Sequence, residues 1–307
     1  EPFAESDGRT LWISTDAPGP AGGPSFGGAS KVYNVIDTRQ SYLQKVVVQG
    51  LRSLQYGAQA DKSVHFSYEM VALSPRSLAE LGYAASDEEK GRSFLEVSGR
   101  KGLGVKADDL LDRLEAKARD EVEKRNASLS PDERARIARE IASGALRYFM
   151  LKYARNSVIV FDFEEALSFE GETGPYLQYT SVRLNSIFRK LKERAGLDEA
   201  DIRAPAAADL IPPGLSDRET ADFWDLVLTA GGLEEEVLRS VAALELSHLA
   251  KHAFLLCQKL NGYYHQYPVL AEENKAVKAF RLLVIRTVKE QLLCALGLMG
   301  IPPPERM

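Results

Sequence analysis

Apolar residues change their period partway along this chain of 307 residues. Val32-Tyr33-Asn34-Val35-Ile36 reads as a short buried strand, Ser41 to Tyr56 as an amphipathic helix and His65 to Ala72 as a second strand, a βαβ pattern. From Asp108 onward the period is helical. Leu110, Leu111, Leu114, Ala118 and Val122 fall on one helix face, and the only later strand signal is Val158 to Phe161. Start signals are strong in this second part. Ser130-Pro131-Asp132-Glu133 and Ser216-Asp217-Arg218-Glu219 both fit a capping box, and Pro175 suits a first helical turn. Gly231-Gly232 and Gly300, the latter followed by prolines from Pro302, mark helix ends. Ala17 to Ser30, with three prolines and five glycines, reads as a flexible loop. The pattern predicts an α/β part followed by an all-α part.

Composition adds limits rather than chemistry. An apolar content of 45% supports well-filled cores, and the length suits about two domains. The net charge of −5 is local in origin, because residues 197 to 236 carry eleven acids against two bases and the remainder is slightly basic. RNA binding is therefore compatible with the acidic total. Cys257 and Cys294 both fall in apolar helical patterns and read as small buried hydrophobes, which points to a reducing, cytoplasmic setting. No secretory signal or membrane-length apolar run is present. The chain opens on Glu1 rather than Met, as a fragment or processed product would.

Candidate chemistry concentrates between Phe161 and Lys190. Glu164, Glu165, Glu170 and Glu172 precede the Gly171/Gly174/Pro175 break, after which Tyr176, Tyr179, Arg183 and Arg189 recur at helical spacing. Such a face can stack on bases and bind phosphates, and the same stripe also fits a core helix. Ser98-Gly99-Arg100-Lys101-Gly102-Leu103-Gly104 is a cationic glycine loop able to close over phosphate, or an ordinary exposed turn. Asn261 to Pro268 concentrates tyrosines where splayed bases could stack, or where a helix end packs on its loop. His248 and His252 stand at i and i+4, but no glutamate of a metalloprotease pattern or cysteine pair accompanies them, so no metal is assigned. Glu234-Glu235-Glu236 suits a helix start.

Certain stretches resemble the arginyl-tRNA synthetase family: Phe169-Glu170-Gly171-Glu172-Thr173-Gly174-Pro175-Tyr176-Leu177-Gln178-Tyr179, the preceding Ala145-Leu146-Arg147-Tyr148-Phe149, and the terminal Pro304-Glu305-Arg306-Met307. The resemblance runs from about Asp7 to Met307 and corresponds to the second half of the catalytic domain plus the anticodon-binding domain. It implies a partial Rossmann-like catalytic domain over 1–129 and a helical-bundle anticodon-binding domain over 130–307. Ser98, Gly99, Arg100, Lys101 and Gly102 then resemble the second class I signature loop, contacting ATP, with Arg100 and Lys101 offsetting charge during adenylate formation. Gly99 departs from the family's lysine. Arginine recognition would fall on Trp12, which departs from the usual tyrosine, with Asp16 and Gln40, the Asp carboxylate pairing the guanidinium bidentately. Gln40 also fits a cap for the helix from Ser41. For tRNA, the resemblance implies Arg147, Arg155, Tyr176, Gln178, Tyr179, Arg183, Tyr263, Tyr264, His265 and Met307. Arg147 and Arg155, eight residues apart on one helix, would lie within about 80° of one face. Gly144-Ala145-Leu146-Arg147 departs from the family's Asp-Ala-Leu-Arg only at its first residue.

The implied partners are arginine tRNA, arginine and ATP with Mg²⁺, in a cytoplasmic monomer without membrane contact. The other class I signature, a HIGH-like tetrapeptide, is absent from the contexts of His65, His248, His252 and His265, so this chain by itself is expected not to activate arginine. A non-catalytic RNA- or protein-binding fragment is the alternative.

Overall fold

The computed structural model describes residues 2–6, 9–12, 28–83, 91, 93–95, 105–126, 128–203 and 211–307. The expected Pro/Gly loop at 17–30 falls, except for its last three residues, outside the described residues, as do Asp16 and the whole of 98–104. Two compact units emerge, residues 1–34 with 42–65, and residues 35–41 with 66–307.

In the first unit, β1 (Pro2–Ser6) and β2 (Arg9–Trp12) form an antiparallel hairpin with Pro2 opposite Trp12. Helices α1 (Ser41–Ser53) and α2 (Gly57–Asp61) follow. Strands β3 (Val32–Asp37) and β4 (Ser63–Tyr68) pair with each other. Among residues 28–34 and 42–65, Ala60 is the only buried apolar residue. α1 stops three residues before the expected end at Tyr56, and Gln55 has a left-handed backbone. Its apolar residues Tyr42, Leu43, Val46 and Val47 are exposed.

The expected strand from His65 to Ala72 is two strands. After β4 the chain turns at Glu69, whose N–H donates to the Arg155 carbonyl (2.9 Å) and whose carboxylate accepts from Thr38 Oγ1 (3.2 Å). β5 (Val71–Leu73) then pairs in parallel with β6 (Ile159–Phe161), Leu73 opposite Phe161. Ser74 caps α3 (Pro75–Glu80) and Asp162 caps α6 (Phe163–Ala166). Their side chains meet, Ser74 Oγ donating to Asp162 Oδ2 at 2.6 Å while Arg76 pairs with Asp162 at 2.5 Å. This knot ties together the carboxyl ends of both strands.

The rest is helical: α4 (Ala107–Arg125), α5 (Pro131–Leu151), α7 (Gly174–Ala195), α8 (Asp217–Gly231), α9 (Leu233–Ala243), α10 (Ser247–Gln266) and α11 (Lys275–Leu298). Two apolar clusters form. One joins Leu73, Leu114, Ile141, Phe149, Phe161 and Phe163, and the other joins Leu177, Leu184, Leu256, Leu260, Ile285 and Leu292. α5 feeds both, since Tyr148 belongs to the second and Phe149 to the first. Each fully buried Leu or Phe contributes roughly 1.5–3 kcal/mol relative to exposure. α5 and α7 cross where Gly174 meets Gly144, because a Cβ on Gly174 would stand 2.2 Å from the Gly144 carbonyl oxygen.

Several local expectations are met and others are corrected. Ser130 and Glu133 exchange both capping-box bonds, Glu133 N–H to Ser130 Oγ at 3.3 Å and Ser130 N–H to Glu133 Oε2 at 3.0 Å. Ser216 accepts from Glu219 N–H, yet the Glu219 carboxylate turns inward to Arg281 instead of closing a box. Gly232 ends α8 in a right-handed conformation and directly starts α9, whereas Gly300 is left-handed at φ +66° past α11. Cys257 is buried, and burial pushes its thiol up to about 12. Cys294 is exposed, contrary to expectation, because α11 buries Leu292 and Ala295 on either side and turns the intervening face outward. No helix among the described residues is long and apolar enough to cross a membrane.

Candidate nucleic-acid interface

α7 begins where Thr173 Oγ1 accepts the Tyr176 N–H (3.2 Å) and donates to the Ser168 carbonyl (2.6 Å), with Pro175 in the first turn. Its inner face, including Leu177, Leu184 and Leu191, is buried. Its outer face carries Tyr179, Arg183, Ser186 and Lys190, spaced three or four residues apart and therefore stacked along one side. That stripe borders an open cleft of about 610 Å³, completed by Tyr264, Leu270, Asn126, Arg306 and Met307.

Arg183 is held ready in this cleft. Its guanidinium lies 4.9 Å from the Tyr264 ring centroid, and Nη1 donates to Asn261 Oδ1 at 3.2 Å. Asn261 is itself fixed, donating to Tyr176 Oη (3.1 Å) and Thr180 Oγ1 (2.9 Å). Arg183, Arg189, Lys190 and Arg306 line the cleft against only Glu193 and Glu305. Arg189 reaches Glu193 only at 3.9 Å, an exposed pair of little worth, so its charge stays available to an anion. The exposed Tyr179 and half-buried Tyr264 add ring faces to this positive field. Cations for phosphate beside aromatic platforms for bases is the arrangement that holds single-stranded RNA.

The structure draws Tyr179, Arg183, Tyr264 and Met307 into this one cleft; Met307 also packs on the cluster around Phe149. Other tRNA candidates sit elsewhere. Gln178 is fully buried, and its Nε2 donates to the Glu140 carbonyl (2.8 Å) and the Pro302 carbonyl (2.7 Å), so it staples the C-terminal tail to α5. Tyr263 is 3% exposed and cannot stack on an outside base, since α10 turns Leu256, Leu260 and Tyr263 to the core and Tyr264 outward. Burial, with Glu219 beside it, pushes the Tyr263 phenol well above its ordinary value. Tyr176 is half-buried with its ring 5.5 Å from Phe254, so it supports Asn261 rather than lining the cleft. His265 is exposed at the end of α10.

Arg147 and Arg155 do not share a helix. α5 ends at Leu151, and Arg155 follows in a turn where its N–H donates to the Glu245 carboxylate (3.1 Å) and Nη1 to Ser67 Oγ (3.2 Å). Arg147 is exposed, donates to Ser143 Oγ at 3.3 Å, and lies so close over Gly300 that a Cβ there would be 2.4 Å from Nη1. Among the arginine-binding candidates, Trp12 ends β2. Gln40 ends a 3-10 turn, Thr38–Gln40, that Asp37 caps and that runs directly into α1. Arg39 holds the Asp37 carboxyl below its ordinary range.

Sequence reasoning missed Asn126, Ser186, Lys190, Leu270 and Arg306. Ser186 and Lys190 extend the Tyr179/Arg183 spacing and were findable from it. Asn126 comes from a corner distant in sequence with nothing nearby to mark it, and Leu270 lies two residues beyond the Asn261 to Pro268 stretch.

Two family models match the chain: tRNA synthetases class I (R), catalytic domain, over residues 3–163, and DALR anticodon binding domain over residues 177–307. The cleft draws its α7, α10 and C-terminal walls from the second. The arginine–tRNA ligase of Pyrococcus abyssi is 31% identical over 287 residues, covering 92% of this chain and 40% of that protein. An arginine–tRNA ligase of Thermus thermophilus is 34% identical over 286 residues, covering 91% and 42%. The solved Thermus thermophilus arginyl-tRNA synthetase superposes with a TM-score of 0.69 at 31% identity, over 91% of this chain and 41% of that one. The Plasmodium falciparum arginyl-tRNA synthetase, at 20% identity and a TM-score of 0.66 over 91% and 41%, shares the fold. This chain thus spans about two-fifths of the length of the relatives it matches. On these matches the chain belongs to the arginyl-tRNA synthetase family.

Proposed function

We propose that this chain works in an arginine–tRNA ligase, which activates arginine with ATP and passes it to arginine tRNA, and that its own share is to grip the anticodon loop. The observation that carries this reading is the cleft beside α7, where Arg183 is braced by Asn261 against Tyr264 and three more cations face the same space. Phosphates of the loop lie on Arg183, Arg189, Lys190 and Arg306, while unstacked bases rest on Tyr179 and Tyr264. Each such stacking contact is worth about 1–3 kcal/mol. Met307 closes the apolar end of the pocket. Arg147, Arg155 and His265 stand outside the cleft.

Within this reading residues 130–307 form the RNA-binding part, and residues 1–129 supply portions of the ATP and arginine sites through Trp12, Asp16, Gln40 and the loop Ser98 to Gly102. Magnesium would arrive with the triphosphate. Among the described residues no group of three His, Cys, Asp or Glu side chains is placed to hold a metal ion, and no residue is assigned to it. A monomer in a reducing cytoplasm suits the two free thiols.

Titration of the chain with arginine tRNA transcript, followed by gel mobility and by tyrosine and tryptophan fluorescence, tests the reading. The expected result is at least tenfold preference over a transcript with a changed anticodon. Affinity should fall with salt at a log–log slope of about −3 for four neutralised loop phosphates. Arg183→Met should weaken binding about tenfold, in line with a lost charge-assisted contact. Equal affinity for both transcripts would refute the anticodon reading. A separate assay of arginine-dependent pyrophosphate exchange shows whether activation resides in this chain, and none is expected.

A further inference from the structure

One wall of the cleft is a corner, Tyr267 to Asn274, whose conformation is set from behind. Leu270 of this corner lines the cleft, and Tyr264 stands just before it at the end of α10. Within the corner the Glu272 N–H donates to the Val269 carbonyl at 3.3 Å and Val269 is buried, and α11 reaches across to it twice. Lys278 Nζ donates to the Leu270 carbonyl at 3.3 Å. Arg281 Nη1 donates to the Glu272 carboxylate at 2.8 Å and to the Pro268 carbonyl at 3.4 Å.

Arg281 is anchored at its other edge. Its Nε and Nη2 take both oxygens of Glu219 at 2.6 and 2.8 Å, and both residues are buried, at 8% and 4% exposure. This is the glutamate that abandons the capping box at the start of α8. Its turn inward makes sense as the counter-anchor of Arg281, because a planar guanidinium held bidentately on one edge presents the opposite edge in a fixed direction. Glu272 also accepts the N–H of Asn274, the residue that caps α11, at 2.8 Å. Three successive features of the corner, two carbonyls and one carboxylate, are therefore clasped by the first two turns of one helix.

We propose that Lys278 and Arg281, with Glu272 and Glu219, are positioning residues that hold the corner so that Leu270 and Tyr264 present a preformed wall to RNA, without themselves touching it. This rests on the reading that the cleft receives the anticodon loop. A preformed wall avoids the ordering cost that a loose corner would pay on binding.

The test uses the full 307-residue chain and the transcripts described above. Arg281 itself is a poor probe, since removing it leaves Glu219 buried without a partner. Lys278→Met and Glu272→Gln are gentler and should melt within a few degrees of the parent chain. Each is expected to weaken binding of the arginine transcript about fivefold and to reduce anticodon discrimination. The salt slope should stay unchanged, and Lys278→Arg, which can still donate to the Leu270 carbonyl, should restore affinity. Hydrogen exchange in the RNA-free chain should rise about tenfold at residues 269–272 in both variants and stay unchanged in α7. Parental affinity together with parental exchange would overturn the proposal. So would a slope flattened by about 0.7–0.9 in Lys278→Met, the signature of a direct phosphate contact. If the parent chain fails to discriminate transcripts, the anticodon reading falls. The exchange measurement then still decides the clasp, and unchanged exchange at 269–272 would overturn it.

Discussion

Leu256 on α10 and Val46 on α1 both belong to the apolar side of an amphipathic helix, and they end in opposite environments. Leu256 is fully buried among the helices of the second unit, while Val46 is 48% exposed and α1 buries no residue at all. An amphipathic pattern states which face a helix would bury, whereas the burial itself depends on whether other elements supply a matching surface. α10 is flanked by α7, α8, α9 and α11. α1 has the pattern without comparable cover among the described residues.

The sharpest way to break this contrast is native-state hydrogen exchange. Amides around Leu256 should exchange through near-global unfolding and those around Val46 through local opening, at least about a thousandfold faster. Equal protection would show that α1 is held by something other than apolar packing. Urea denaturation gives the next test: Leu256→Ala should cost about 2–5 kcal/mol, against less than about 0.5 kcal/mol for Val46→Ala. Comparable losses would undo the distinction.

Glycine substitutions sharpen it further, because they should differ in sign. Gly174→Ala drives a methyl into the Gly144 carbonyl, and should destabilise by about 1–3 kcal/mol. Gly50, inside α1 with nothing within 4 Å of an added Cβ, should gain roughly 0.5–1 kcal/mol of helix stability on substitution by Ala. Thermal melts of the two variants measure both.

The smallest effect concerns acid. Burial pushes the Asp162 carboxyl upward, but hydrogen bonds from Arg76, Ser74 and the Glu165 N–H outweigh it and leave the group below its ordinary 3.8. A depressed carboxyl stabilises the fold fully above the unfolded value and progressively less as pH falls through the folded one. Stability of the strand-end knot is therefore expected to decline below about pH 4, and Asp162→Asn should lose that part of the pH dependence. An Asp162→Asn variant whose stability falls between about pH 4 and 2 just as the parent's does would disprove the assignment.

Much of the helical half was legible beforehand. Ser130 and Glu133 close their capping box as the spacing predicts, Pro175 opens α7, and Gly300 ends α11 in the left-handed region, since these signals act within one turn of chain. The α/β half was less legible. The strand-like stretch from His65 to Ala72 gives no sign of the break at Glu69, which exists because the two ends pair with different strands. The interface was half legible for the same reason. Tyr179 and Arg183 follow from helical spacing, but Gln178 and Tyr263, adjacent to outward-facing residues, are claimed by the core.

By itself the sequence determined the family, the capped starts of α5 and α7 and the Tyr179/Arg183 spacing on α7, because each is written in local spacing or in residue identity. Only tertiary structure decided that Glu219 leaves its cap for Arg281, that the Leu270 corner is clasped by α11, and that Asn126 and Met307 meet at one cleft. Those outcomes depend on which distant groups compete for the same hydrogen-bond partner or the same volume, and that competition is settled only when the elements pack.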